Sequence, residues 1–376
     1  MSEAIVRLAS EFPIAARIAY LDHAALSPLP RSVKRTVAAF HDRRMRYGAD
    51  FAAWWQRVEH VRSLVGERIN ATADEIAFTA NTSMGVNLAA AAIPFEPGDN
   101  VVITDAEFPS NVYPWMNLRD KGVELRYVCC GDGQEVQRFE EQIDARTRAV
   151  SVSWVTAATG QRLDIAAIGT LCKRRGAYFI VDAMQGLGVL PLDVDAVQAD
   201  VVVSGFFKWM LGPDGIAFVY IRRGILDQLR QPYAGWAGME DRFNYANRRF
   251  APVDSAARFE TGNLNFSAIY GVETALNLVT GLEQAIRDRV LALTAYLRQG
   301  LADIPRVELL SPQQPDQTAG ITLFTTTCDD EVMLKLREQH VVVSYRNGIR
   351  VSPHFYTDTT QINTLLDVVR PIVSAT

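Results

Sequence analysis

The sequence contains no run of about eighteen apolar residues, so no membrane-spanning helix is expected. It has no basic block either. The formal net charge is −5, which argues against a nucleic acid or an anionic membrane as partner. Cysteine is scarce. Cys129, Cys130, Cys172 and Cys328 form no CxxC pair and no metal-ligand spacing, so no metal site is expected. For Cys129 and Cys130, adjacent at the end of a strand-like run, the expected role is small core filling in a reducing cytoplasm. The N-terminal stretch MSEAIVRLASEFP lacks the basic start and long apolar region of a signal peptide. No GxGxxG follows the first strand-like run, which disfavours a nicotinamide-dependent dehydrogenase. Internal repeats and low-complexity tracts are missing as well.

What is present is an ordinary globular composition, 48% hydrophobic and 22% charged. A chain of 376 residues is long enough for two domains with sizeable cores. From about residue 60 to 225, short apolar runs alternate with helical patterns. That alternation predicts a mainly parallel sheet covered by helices, an α/β architecture. After 225 the pattern changes. Residues 231–265 read as a long loop region, and the remainder reads as a small α+β unit with helices near 267–282, 284–303 and 358–374. The expected division is an N-terminal segment 1–50 packing with the small domain, a large domain 51–262, and a small domain 263–376.

One stretch organises the rest, ADVVVSGFFKWMLGPDGIA at 199–217. A buried strand runs over Ala199–Val203 and stops at Ser204–Gly205. Lys208 follows, ringed by Phe206, Phe207, Trp209 and Met210. Burial among apolar groups disfavours the ammonium form and leaves a nucleophilic amine. The alternative is a surface lysine on a loop. Other residues weigh against that alternative. In parallel sheets ligands bind at the carboxyl ends of strands, and several polar groups are expected there. Asn81, Thr82 and Ser83 sit where a helix begins, an arrangement suited to an anion or simply to a well-capped helix. Asp182 ends the apolar run GAYFIV and is costly there unless paired. Gln185 follows one turn later, and Phe108 lies in AEFPSNVYPW after another strand.

Together these groups suit an aldehyde cofactor with a phosphate tail and a pyridine ring. Thr82 and Ser83 supply donors for the phosphate, and Asp182 a carboxylate for the ring nitrogen. Gln185 supplies a donor for the phenolic oxygen, Phe108 a stacking face and Lys208 a Schiff base. Arg350, in GIRVSPHFY, is the expected planar cation for a substrate carboxylate, with a surface salt bridge as its alternative. His23, Tyr345 and His354 are further candidates for substrate contact.

The motifs YLDHAALSPLP, NTSMGVN, AEFPSNVYPW, FIVDAMQGLG, SGFFKWMLGPDG, RFETGNLNF and GIRVSPHFY span nearly the whole chain. In these the chain resembles the class V aminotransferases of pyridoxal-phosphate fold type I, a group that includes cysteine desulfurases, selenocysteine lyases and isopenicillin N epimerases. The resemblance implies a large domain with a mainly parallel, seven-stranded-type sheet and pyridoxal 5'-phosphate as cofactor. It implies a homodimer acting on an amino acid, with Lys208 as Schiff-base lysine, Asp182 at the ring nitrogen and Gln185 at the phenolic oxygen. Thr82, Ser83 and Ser204 then contact phosphate, Arg350 binds the substrate carboxylate, and Asn263 reaches the phosphate from the neighbouring subunit. There are departures. Phe207 and Phe108 stand where desulfurases carry histidines, and Ala157 where an asparagine is usual. The Ser204–Lys208 spacing is one residue longer than in SGHK. Residues 329–350 hold no cysteine, and Cys328 is expected at a strand end. Persulfide chemistry is therefore disfavoured. The expected activity is an aminotransferase, with a C–S lyase or an epimerase as the alternative and a non-catalytic binding module as a distant one.

Overall fold

The computed structural model describes residues 3–246 and 248–375. Its centre is a seven-stranded sheet in the order Ile76–Thr79, Ala217–Ile221, Val201–Gly205, Tyr178–Asp182, Thr147–Ser153, Asn100–Thr104, Glu124–Val128. Ala217–Ile221 runs antiparallel to both neighbours, and all other pairings are parallel. The inner strands are apolar on both faces because both faces are covered. Alternate residues enter opposite cores. Val101 and Ile103 face one side with Val86 and Leu88 of the helix Thr82–Ala92. Val102 faces the other side with Val58, Val61 and Ile168 of the helices Phe51–Ile69 and Ile165–Arg175. Gly85 lets the helix Thr82–Ala92 sit close on the sheet. A Cβ there would lie 2.8 Å from Val203 Cγ1 and 2.9 Å from Val219 Cγ2.

The C-terminal part builds a four-stranded antiparallel sheet, Ser344–Tyr345, Ile349–Val351, Thr322–Thr325, Glu308–Leu309. The helices Glu283–Ala302 and Thr359–Ala375 join its core. The N-terminal segment divides its packing. Ala19–Tyr20 pairs in parallel with Val341–Val342, and Leu21 enters the C-terminal core. Ile5, Leu8 and Phe12 join the core beneath the large sheet instead, and the helix Arg31–Tyr47 packs on the helix Phe266–Val279. That second helix, assigned by sequence to the small-domain side, buries Ile269, Val272 and Leu276 in the large-sheet core. A helix spans Asp329–Glu338, where the sequence reading assigns no element. Cys328 stands at its N-cap rather than at a strand end, because Thr322–Thr325 stops earlier.

Candidate active site

Strand ends carry the site, as the parallel topology requires. Val201–Gly205 delivers the turn that holds Lys208. Gly212 N donates to Phe206 O at 2.8 Å and Leu211 N to Lys208 O at 3.1 Å, closing that turn. Ser27 N, from the N-terminal segment, donates to Phe207 O at 2.9 Å. Gly188, at φ +103°, allows close backbone contact behind the turn, since a Cβ there would lie 2.5 Å from the Trp209 carbonyl. The Lys208 backbone is thus held from three sides. Its Nζ lies 5.9 Å from the ring centres of both Phe108 and Phe207. Burial pulls the amine below the ordinary lysine value, and Asp182 opposes the shift.

Asp182 is almost fully buried at the end of Tyr178–Asp182, and its Oδ1 accepts from Met184 N at 2.9 Å. Desolvation raises its pKa, and Lys208 opposes that. Gln185 donates from Nε2 to Ala24 O at 2.9 Å and accepts from Trp209 Nε1 at 2.9 Å. One N–H of its amide remains. Thr82 and Ser83 are the first two residues of their helix, with Asn81 as N-cap accepting from Met84 N. Their own N–H groups have no intrahelical acceptor. Ser83 Oγ also meets Ser110 Oγ at 2.6 Å, joining this helix start to the loop that bears Phe108. Ser204 is fully buried, and its hydroxyl donates to Gly205 O at 3.1 Å.

Arg350 is buried in Ile349–Val351 and is held on three sides. It donates to Ser344 Oγ at 3.1 Å, Ala157 O at 2.7 Å and Asp22 Oδ1 at 3.2 Å. A guanidinium has five N–H bonds, so one remains on each terminal nitrogen. Neither the surface salt bridge weighed above nor a lone cation is observed. Desolvation lowers the Arg350 pKa, and Asp22 restores part of it.

Two candidates take other places. His23 and His354 are fully buried, with both ring nitrogens engaged in hydrogen bonds within the fold. His354 Nδ1 accepts from Phe355 N at 2.8 Å, which places the proton on Nε2, 3.2 Å from Trp209 O. His23 Nδ1 donates to Ser352 O at 2.8 Å, and Nε2 accepts from Tyr356 Oη at 2.6 Å. Both rings are kept neutral by burial. Both rings pack against Trp209. Tyr345 is exposed beside Ser344, and Phe108 is half exposed. Asn263 is exposed and lines a cavity of about 550 Å³ with Thr79, Met84 and Tyr233, whose lining does not include Lys208.

The roles of four groups could not be read from the sequence. Asp22 faces Arg350 and Trp209 holds Gln185. Met184 lies among the donors of Thr82 and Gly205. Glu107, next to Phe108, accepts from Thr104, Asn111 and both the N–H and hydroxyl of Ser153. Only Glu107 carried a signal, a carboxylate three residues past the end of the buried strand Asn100–Thr104.

The profile of the family Aminotransferase class-V matches residues 19–369. The chain belongs to the class V aminotransferase family. A protein of Pectobacterium atrosepticum named cysteine desulfurase is 31% identical, over 84% of this chain and 81% of that protein. One of Bacillus subtilis named uncharacterized aminotransferase YcbU is 27% identical, over 95% of each. The cystine C–S lyase C-DES, solved with its product cysteine persulfide, shares the fold with a TM-score of 0.88 at 24% identity, over 95% of this chain and 98% of that one. The family cofactor is pyridoxal 5'-phosphate, so this chain is a pyridoxal-phosphate enzyme of fold type I. The residues present fit that group. A buried carboxylate with a raised pKa suits a cationic ring N–H, a depressed lysine amine suits an aldehyde, and the Thr82 and Ser83 N–H groups at the helix start suit a phosphate.

Proposed function

We propose that this class V enzyme is an aminotransferase in which Lys208 is the sole proton carrier. Lys208 and Asp182 hold the cofactor at aldehyde and ring nitrogen. Thr82 and Ser83 face its phosphate, Gln185 its phenolic oxygen with the remaining amide N–H, and Phe108 its ring face. Arg350 takes the substrate carboxylate on its two remaining N–H bonds, a planar fork on a planar anion. Bound pyridoxal phosphate supplies an electron sink that acidifies the α C–H of an attached amino acid. Lys208 Nζ takes that proton as general base, a role its lowered pKa favours near neutral pH.

The observation that carries the reading is the make-up of the surroundings of Nζ. The charged groups that act on it are Asp182, Arg350, Asp22 and Arg346. The two arginines cannot serve as bases. Asp182 is committed to the Met184 N–H and Asp22 to Arg350 and Ser344. The neighbouring rings are phenyl groups. One base on one face can move a proton between two carbons, which is transamination. Two-sided exchange, which epimerisation needs, finds no second base among these groups. A second reading, C–S bond elimination, is favoured by the relative named cysteine desulfurase. Elimination runs without an amino-group acceptor, and that separates the two.

The purified protein is supplied with amino acids with and without a 2-oxo acid. The expected result is a new amino acid formed from the oxo acid, with no ammonia or sulfide when the oxo acid is omitted. Lys208→Ala is expected to lower turnover by about a thousandfold. Acceptor-independent release of sulfide or ammonia would replace this reading by the lyase. A homodimer is proposed as the working unit, with Asn263 reaching the neighbour's phosphate; gel filtration with light scattering tests it.

A further inference from the structure

We propose that Met184 closes the phosphate end of the cofactor site and competes with the cofactor's phosphate for its hydrogen-bond donors, so that this side chain sets how tightly the phosphorylated cofactor is held. The inference rests on the reading that Lys208, Asp182 and Thr82 hold pyridoxal phosphate. Met184 is anchored at the ring end, where its N–H bonds Asp182 Oδ1 at 2.9 Å. Its side chain reaches the other end. Its sulfur lies 3.2 Å from Gly205 N, 3.5 Å from Thr82 Oγ1 and 3.9 Å from Ser204 Oγ. Two donors, the Gly205 N–H and the Thr82 hydroxyl, therefore converge on a thioether, which is a weak acceptor, with the Ser204 hydroxyl beside them. All four residues are buried.

An anionic phosphate oxygen accepts such bonds far more strongly than sulfur does. A neutral, flexible methionine can leave without the cost of breaking an ion pair. Glycine at 205 belongs to the same packing solution. A Cβ there would lie 3.3 Å from both Sδ and Cε of Met184 and 3.1 Å from Phe207 Cε1. Met184 thus fills the space that a side chain at 205 would take. The hydroxyl of Ser204, one residue earlier, is already committed to Gly205 O.

The full chain, cleared of cofactor by dialysis, is titrated with pyridoxal phosphate, with pyridoxal, which lacks the phosphate, and with inorganic phosphate. Tryptophan fluorescence and visible absorbance report binding. Met184→Ala is expected to tighten pyridoxal phosphate about five- to tenfold, the worth of one or so recovered hydrogen bonds. Pyridoxal is expected to change less than about twofold, and inorganic phosphate to tighten along with the cofactor. Met184→Leu keeps most of the bulk and removes the acceptor, and it serves if the alanine variant does not fold. It is expected to favour pyridoxal phosphate over pyridoxal by about two- to threefold relative to wild type. An unchanged or reduced preference for the phosphorylated form in both variants overturns the inference. Wild-type protein that gains no borohydride-stable label on Lys208 overturns the underlying reading instead.

Discussion

Arg350 shows how much a single residue is committed before any substrate arrives. Three of its N–H bonds serve Ser344, Ala157 and Asp22. The guanidinium plane is therefore fixed, and the remaining two N–H bonds are aimed rather than searched for. Lysine at this position keeps the charge but not the fork. It also leaves the Ala157 carbonyl or the Ser344 hydroxyl short of a partner. Arg350→Lys is expected to raise KM for the amino acid by about ten- to a hundredfold, with a smaller fall in kcat, since a charge-assisted bond is worth roughly 1.5–3 kcal/mol. Steady-state kinetics at varied substrate check this; an unchanged KM would remove Arg350 from substrate binding.

At the scale of elements, one buried ion pair ties three of them together. Arg62 of the helix Phe51–Ile69 meets Glu260 through two bonds, at 2.8 and 3.2 Å. It also donates to Ile76 O at 2.6 Å, and Glu260 accepts from Phe78 N at 2.8 Å. The edge strand Ile76–Thr79 and the RFETG loop are thereby locked to that helix. Glu260 is fully buried and neutralises the buried Arg62 from inside, whereas its other carboxylate partner, Glu59, is half exposed. Removing one member strands the other charge in a dry place. Glu260→Ala is expected to cost about 3–5 kcal/mol in urea unfolding. Arg7→Ala, which breaks an exposed pair with Glu3, is expected to cost under about 1 kcal/mol. Equal costs for the two variants would contradict this account.

For the molecule as a whole, burying neutral histidines links folding to pH. Burial lowers His354 to about 4, and it lowers His23 well below the ordinary value. The unfolded chain takes up these protons near the ordinary histidine pKa of about 6.5, while the folded chain refuses them. The stability from neutral His354 is thus full above about pH 6.5 and is lost as pH falls toward 4, a loss of about 3 kcal/mol. Buried carboxylates with raised pKa, such as Asp182 and Glu107, act in the opposite sense. A variant comparison isolates the histidine. Glutamine at 354 retains an amide donor for Trp209 O without the titration. The stability advantage of wild type over His354→Gln is expected to shrink by about 3 kcal/mol between pH 7 and pH 4. A pH-independent difference would show that His354 takes up its proton freely in the folded state.

Much of this was legible in the residues alone. Fully apolar runs with β-branched residues, each followed by a helical pattern, can only be strands covered on both faces, so the parallel sheet followed from them. The strand ends then placed Lys208, Asp182, Thr82 and Phe108 on one edge, because in such sheets that edge is where polar groups are delivered. The motifs named the family and its cofactor for the same reason. They are local, and each sits on one element. Contacts between distant segments were not legible. Nothing near Arg350 in sequence announces Asp22, 328 positions away. Nothing in YLDHAALSPLP says that His23 turns inward to Ser352 and Tyr356. The helix Asp329–Glu338 buries only Val332 and Leu336, too little periodicity to read. Sequence by itself determined the sheet, the family and the place of Lys208 just past a buried strand, because those rest on local pattern and chain order. Tertiary structure alone decided which polar groups are already engaged and which remain for a ligand, because buried hydrogen bonds and charges find their partners across the fold rather than along the chain.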